Sequence, residues 1–429
     1  MTSLIVVIGL LFLLFLGVPV GLALAFSGMV GLVAIVGFNS ALSVLATTPL
    51  STTNGYELIA VPLFILMAEF VIVSGIADRM FKAITIWVGR LPGGLAVATA
   101  LAGAGFGAIS GSSTAAAAAL SSTSIPAMQK AGYEAKFSAG VVAVSGTLAM
   151  LIPPSIALVL YGIIVEVNIA SLLIGGVIPG VLVTFGIIVT IYALMARDPS
   201  IAPAAKRWSL REKLFALREI GPMLALLACV TGSIYLGVAT PTEAAGLGAF
   251  GAFVIAAAFR SLTWARTWGA LSRAVRATCM IFLIIIGAHI FGYVLTLGQI
   301  TPQFVTWITT LNVSPYVVMA GIILFYLVLG CFMDQLAILI LTVPVMVPAI
   351  VTLGFDPVWF GVIVVVSAEV GMITPPLGMN IFVVARYAGR PLSEIFRGVA
   401  PHVVTHLIII ALLIAFPQLV LWLPSTINN

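Results

Sequence analysis

The sequence predicts an all-α integral membrane protein built as an inverted repeat, each half holding about five transmembrane helices plus one re-entrant hairpin. Three observations lead there. Of 429 residues, 62% are apolar and only 7% charged, with a mean hydropathy of +1.27, whereas soluble domains carry about 25% charged residues. Apolar runs of roughly the 20 residues needed to cross a bilayer recur along the chain. Proline positions also recur at a fixed interval in the two halves.

Spans are expected near 4–18, 20–38, 58–74, 137–165, 171–195, 221–239, 243–259, 278–297, 357–386 and 400–423. No basic region precedes the first, so it is read as a span and not as a cleaved export signal. The stretches 91–130 and 316–351 each hold two short apolar segments around a polar or small-residue break, the pattern of a re-entrant hairpin. The runs 137–165 and 357–386 each contain two consecutive prolines and are read as broken helices.

Charge gives the orientation. The net charge is +5, and the basic residues gather in a few short polar segments instead of forming a binding surface, which argues against nucleic acid as a partner. Arg79 to Arg90, Lys130 and Lys136, the cluster from Arg197 to Arg218 that includes Lys206 and Arg207, Arg260 to Arg276, and Arg386 to Arg397 all fall on one side. By the positive-inside rule that side is cytoplasmic. The opposite loops hold Glu57, Glu166, Asp356 and the uncharged 298–315 stretch, so both termini are expected in the periplasm.

A shift of 222 residues carries Pro19 onto Pro241, Pro126 onto Pro348, Pro153 onto Pro375, Pro154 onto Pro376 and Pro179 onto Pro401. Chance predicts about 0.6 such coincidences at a fixed shift. The first copy, 1–207, begins outside. The second, 221–429, follows a basic cytoplasmic linker at 208–220 and begins inside, so the repeat is inverted. Two near-equivalent halves of opposite orientation are suited to alternating access.

The interruptions supply the chemistry. Gly107 to Thr114 offers hydroxyls and exposed backbone at the first hairpin break, although Gly103, Gly107 and Gly111 also form a small-residue packing ladder. Pro153 and Pro154 remove two amide donors inside an apolar run and free carbonyls one turn back. A broken helix beside a hairpin tip presents carbonyls to a cation and helix N-termini to an anion; a simple kink is the plainer alternative. The second half repeats the device with Met333, Asp334 and Gln335 at its tip and Gly371 to Asn380 at its break. Asp334, the counterpart of Ser112, can bind sodium, carry a proton, or accept amide bonds at a helix start. Glu69 and Glu369 also lie in spans, as proton relays or as neutral or paired interhelical hydrogen bonders. Glu243 reads as an acid at a helix start.

Other chemistries have less behind them. His402 and His406 stand four apart without a third ligand cluster, and His289 reads as a bundle hydrogen bonder. Ser110 and Ser145 invite comparison with intramembrane serine proteases, but neither has an evident histidine partner. No Walker motif supports ATP hydrolysis. Cys229, Cys279 and Cys331 lie far apart in apolar context and read as packing residues.

Nearly the whole chain resembles the large membrane (M, or DctM-type) subunit of tripartite ATP-independent periplasmic (TRAP) transporters. The likeness is carried in order by VPLFILMAEF with SGIADRM, GRLPGGLA, FGAISGSSTAAAAA, IPAMQKAGYEAKFSAG, LIPPSIALVLYG, TPTEAA, and GFDPVWFGV followed by ITPPLGMNIFV. The resemblance implies an elevator-type secondary transporter of the bacterial inner membrane, no enzyme, coupled to Na+ and needing no organic cofactor. It implies an organic acid substrate delivered by a soluble periplasmic binding protein, and a small four-helix membrane subunit as a separate partner in the bilayer. The runner-up is a single-component anion symporter or exporter of related hairpin architecture. Carried over by residue, one sodium site would comprise Ser110, Gly111, Ser112, Gly146, Thr147, Leu151 and Pro153. A second would comprise Asp334, Gln335, Gly371, Thr374, Pro375 and Gly378. The solute carboxylate would meet Ser112, Ser113, Pro154, Ser155, Asp334, Pro376 and Asn380. The chain departs from the family pattern at Ala149, where glycine is frequent, and at Ser367, where asparagine is.

Overall fold

The computed structural model describes residues 2–203, 208–311 and 313–426; Lys206 and Arg207 of the basic cluster lie outside the described residues. Helices account for all the regular structure among them. The chain opens with α1 (Thr2–Phe15), α2 (Val20–Val36) and α3 (Phe38–Thr53), then α4 (Ala60–Ser74) and α5 (Ile76–Val88). A hairpin of α6 (Gly94–Ser110) and α7 (Ser113–Lys130) precedes α8 (Ala135–Thr147), α9 (Ile156–Val165), α10 (Ile169–Gly175) and α11 (Val177–Arg197). The second half runs through α12 (Leu210–Tyr235), α13 (Pro241–Ala258), α14 (Trp264–Leu297) and α15 (Ile300–Thr310). Its hairpin is α16 (Pro315–Phe332) and α17 (Gln335–Thr352), followed by α18 (Pro357–Gly371), α19 (Met379–Ala388), α20 (Leu392–Ala415) and α21 (Gln418–Ser425). Among the described residues, eight helical segments are long and apolar enough to cross a membrane.

Local chemistry sets the boundaries. Pro241, Pro315 and Pro357 stand at first helical positions, where a missing amide proton costs nothing. At α13 the cap is Thr240: its hydroxyl accepts from the Glu243 amide while the Glu243 carboxylate accepts from the Thr240 amide at 2.8 Å. The helix start read at Glu243 is therefore a capping box.

The structure corrects several expected limits. Residues 210–220 of the supposed linker are helical, because Ser209 and Glu212 form a second capping box that starts α12 early. The span at 278–297 is the end of the 34-residue α14. The span at 400–423 divides into α20, which begins eight residues earlier and carries Pro401 inside it, and α21. Three helices had no counterpart among the expected spans. α3 is rich in Ser and Thr with Pro49 inside it, α5 carries Asp78, Arg79 and Lys82, and α15 occupies the stretch read as an outer loop. Each is too short or too polar for a span-length hydropathy criterion.

The boundaries themselves recur. α7 and α17 are both 18 residues long and begin 222 positions apart, and α6 and α16, α8 and α18, and α9 and α19 agree within one or two residues at their starts.

α2 lies along α14, and α4 along α13 and α14. Glycine makes the first contact possible: a Cβ on Gly21 would meet the Ile284 amide at 2.9 Å, and one on Gly28 the Phe291 amide at 2.9 Å. Glu69 on α4 is not a free relay. Its carboxylate pairs with the Arg273 guanidinium of α14 at 2.8 Å. Arg273→Gln is expected to cost about 1 kcal/mol, and adding Glu69→Gln to recover most of it, in a double-mutant cycle read by melting temperature. Additive losses would mean the two side chains are uncoupled.

Candidate functional site

Both hairpin tips are capped turns. Gly111 ends α6 in the left-handed region at φ 56°, which glycine adopts without penalty. Ser112 then caps α7, accepting from the Ala115 amide at 3.4 Å. At the second tip Met333 is extended and needs no glycine. Asp334 caps α17: its Oδ1 accepts from the amides of Leu336 at 3.0 Å and Ala337 at 3.2 Å. The amide-accepting role open to Asp334 is thus realised by one oxygen, which leaves Oδ2 for another task.

Both double-proline runs break their helices. α8 ends at Thr147 and, after a turn of 3-10 helix at Leu148–Met150, Leu151 to Ser155 are non-helical before α9. Ser155 caps α9 by accepting from the Leu158 amide at 3.2 Å and donates to the Met150 carbonyl. In the second half, Met372 to Gly378 separate α18 from α19, and Gly378 adopts φ 62°. The kink alternative is excluded.

Each break sits against its own hairpin. A Cβ on Gly107 would meet the Ala149 Cα at 2.5 Å, and one on Gly111 the Ile156 amide nitrogen at 3.3 Å. In the second half a Cβ on Gly330 would meet the Gly371 Cα at 2.8 Å. There the Cys331 thiol donates to the Pro375 carbonyl at 3.2 Å, and the Gly378 amide to the Cys331 carbonyl at 3.3 Å.

The two halves then cross. α9 packs on α17 of the other hairpin and α19 packs on α7. The Ser113 hydroxyl lies 3.9 Å from the Met372 sulfur, joining the first tip to the second break. The Asn380 backbone N–H donates to the Met372 carbonyl at 3.2 Å. The first tip therefore touches the second break at Met372, and Asn380 closes on the same residue.

Some expected site residues have local duties. Gly146 faces Ala117 of α7, where a Cβ would come within 2.9 Å, and its carbonyl accepts from Leu148. The Thr147 and Thr374 hydroxyls donate to carbonyls of their own helices, Val144 at 2.7 Å and Val370 at 2.6 Å. The Gln335 amide nitrogen donates to the Val365 carbonyl at 3.2 Å.

Several buried atoms have no protein partner among the described residues: the Ser110 hydroxyl, Gln335 Oε1, both Glu369 carboxyl oxygens and both polar atoms of the Asn380 amide. Buried polar groups are normally hydrogen-bonded, so these atoms have unused bonding capacity, as do Thr85, Ser121, Ser124, Thr231, His402 and His406 elsewhere. Glu369 is only 2% exposed, with Ser113 of the other half as its polar neighbour. Sequence reasoning named Glu369 without placing it here. The signal available was a carboxyl in an apolar run two residues before the glycine that opens the break.

The breaks differ in exposure. Pro153, Pro154 and Ser155 are buried, whereas Pro375, Pro376 and Leu377 are exposed. Other candidates fall away. The Ser145 hydroxyl is bound to the Val141 carbonyl of its own helix at 2.6 Å. His406 Nδ1 faces the His402 carbonyl at 2.8 Å, and no cluster of three metal-ligating side chains occurs among the described residues.

Crossed hairpins and broken helices in an all-helical, apolar chain define a membrane transporter class. Residues 7–419 match the family described as "Tripartite ATP-independent periplasmic transporter, DctM component". The chain belongs to that family: it is the large permease subunit of a TRAP secondary transporter, a multi-pass inner-membrane protein and not an enzyme. It is 37% identical over 400 residues to the C4-dicarboxylate TRAP transporter large permease protein DctM of Pseudomonas aeruginosa, covering 91% of this chain and 93% of that one. It is 33% identical to the sialic acid TRAP transporter large permease protein SiaM of Vibrio cholerae, over 98% of this chain and 97% of the relative. The ectoine TRAP transporter large permease protein TeaC of Halomonas elongata is 32% identical over 96% of each. Among solved structures, the YdaH transporter of Alcanivorax borkumensis shares the fold, with a TM-score of 0.66 over 89% of this chain and 90% of that one, at 15% identity.

The close approach of Gly330 to α18 yields a prediction. Gly330→Val is expected to destabilise the protein by about 1–3 kcal/mol through overpacking, read as a lower melting temperature, whereas Gly292→Val, which meets nothing within 4 Å, is expected to leave it unchanged. Equal melting temperatures would mean that the second tip and break are not in contact.

Proposed function

We propose that this subunit imports an organic acid by sodium-coupled, elevator-type movement of the hairpins and broken helices. On this reading 1–207 and 221–429 are inverted repeats, with 208–220 as the cytoplasmic connection and both termini periplasmic. A small four-helix membrane subunit completes the assembly, and a soluble periplasmic binding protein delivers the solute. Ser110, Gly111, Ser112, Gly146, Thr147, Leu151 and Pro153 hold one Na+; Asp334, Gln335, Gly371, Thr374, Pro375 and Gly378 hold the other. Ser112, Ser113, Pro154, Ser155, Asp334, Pro376 and Asn380 receive the solute carboxylate.

The observation that carries this reading is the buried set of unpartnered polar atoms where the crossed breaks meet the hairpin tips. Freed carbonyls and Asp334 Oδ2 suit a hard monovalent cation, and the starts of α7, α9, α17 and α19 suit an anion. The relatives' named solutes, a C4-dicarboxylate, sialic acid and ectoine, support a small carboxylate as cargo.

Uptake is to be measured in proteoliposomes holding this chain and its small subunit, with the binding protein loaded outside. An inward sodium gradient is expected to drive accumulation, and replacing external sodium by potassium to stop it. Uptake indifferent to sodium would reject the coupling, and full uptake without binding protein would favour a single-component symporter. Asp334→Asn keeps an oxygen for the Leu336 and Ala337 amides but removes the charge, so it is expected to assemble normally and to lose tenfold or more in uptake, as a rough figure. Ser112→Ala, which also gives up the α7 cap at a cost of about 1 kcal/mol, is expected to assemble and to lose uptake to a similar degree. Wild-type rates in both variants would remove them from the site.

A further inference from the structure

A cavity of about 330 Å³ lies between α14 and α15 on one side and α9 and α17 on the other. Ile340 and Pro344 of α17 line it, and Ile340 is five residues past Gln335, about 8 Å along the helix. The cavity therefore stands next to the second tip but belongs to none of the sites above. It opens along the seam between α14, which packs on α2 and α4, and the two helices whose starts build the centre.

Its wall is patterned. His289, Tyr293 and Thr296 stand at i, i+4 and i+7 on α14 and all line the cavity, joined by Thr301 of α15. That spacing puts the three on one face. Their neighbours Ile290, Phe291 and Val294 are buried and apolar, while Ile285, Ala288 and Leu295 share the wall with them. A polar stripe on a membrane helix is best served by a wet or polar neighbour.

The hydrogen-bonding capacity is mixed. The Thr296 hydroxyl donates to the Gly292 carbonyl at 3.0 Å, so its oxygen can still accept. His289 Nδ1 stands 3.0 Å from the Ile285 carbonyl, where only a donor is favourable. The Tyr293 and Thr301 hydroxyls make no side-chain hydrogen bond among the described residues and can donate. No Lys or Arg lines the cavity, so an anion held here by two hydroxyls would be bound weakly and released easily.

We propose that this cavity is the water-filled outer mouth of the transport path, where a small organic acid, its carboxylate held by the Tyr293 and Thr301 hydroxyls, waits before reaching the second hairpin tip. This rests on the import reading and on its orientation, which places residues 289–301 on the side opposite the basic residues of 260–276. Movement of α9 and α17 away from α14 widens the same seam, so the mouth and the deeper site open together.

The test has two arms. Thr301→Cys, in a Cys229→Ser/Cys279→Ser background, is treated from outside in right-side-out vesicles with a membrane-impermeant methanethiosulfonate carrying a sulfonate. It is expected to react about tenfold faster than Val181→Cys, a control on the exposed apolar face of α11, because thiol exchange requires a hydrated thiolate. Reaction no faster than the control would mean that hydrocarbon or a lipid chain fills the cavity, which overturns the proposal.

The second arm measures sodium-driven uptake against the concentration of loaded binding protein. Tyr293→Phe and Thr301→Val are expected to raise the half-saturating concentration about 3- to 10-fold, the loss of one hydrogen bond, with maximal rate within about twofold. A lowered maximal rate at unchanged half-saturation would mark a structural role and overturn the proposal. Absence of uptake by the wild-type chain would sink the import reading itself, whereas normal uptake with an unreactive Thr301→Cys would sink this inference alone.

Discussion

Hydrocarbon offers nothing to an unpaired amide or carbonyl, and this constraint governs the arrangement of the whole molecule. A helix can stop inside the bilayer only where other protein closes around the break. Here two helices stop; each break packs on its own hairpin, and the helix after each break packs on the hairpin of the opposite half. The glycines at 107, 111, 330 and 371 let backbones approach closely enough to seal the gaps. Six of the buried polar atoms that remain without partners belong to Ser110, Gln335, Glu369 and Asn380, on the elements that meet at the tips and breaks.

The two halves use one frame with different chemistry. Ser112 and Asp334 are both helix caps 222 residues apart, yet only the second is a carboxyl. Thr147 and Glu369 occupy matching positions before their breaks, and again the second half holds the acid. The first proline pair is buried and the second exposed. A symmetric scaffold thus carries an asymmetric distribution of charge and access, with both carboxyls and the open break in the second half.

Much of this was legible in the sequence because it depends on residues with strong backbone preferences. Paired prolines, tip glycines and the 222-residue interval mark the hairpins and breaks to within a few residues. The elements that escaped notice, α3, α5 and α15, are held by tertiary packing and not by length or hydropathy; α5 lies against α6 and α12, and Arg79 stacks on the Phe259 ring at 4.2 Å. Side-chain duties were the least legible part. Nothing in SGTLAMLIPPS tells that the Thr147 hydroxyl is spent on its own helix, or that Glu369 would lie beside Ser113 from the other half, because both facts depend on how distant segments cross.

The absence of Lys and Arg from both tips and both breaks bears on coupling. On the reading proposed here, an anion at the centre is met by helix N-termini, hydroxyls and an amide, each a partial positive charge, with Asp334 at the second tip. With Asp334 ionised and no cation present, a second carboxylate would be repelled in a low-dielectric setting where charge interactions are strong. With a cation beside Asp334, repulsion turns into net attraction. On the reading proposed here, each ligand therefore raises the affinity of the other, which is the reciprocity that linkage demands. A fixed arginine in the same place would hold the anion without any ion and uncouple the two. On that reading, the lack of a fixed Lys or Arg at the centre is what ties the anion to a cotransported cation.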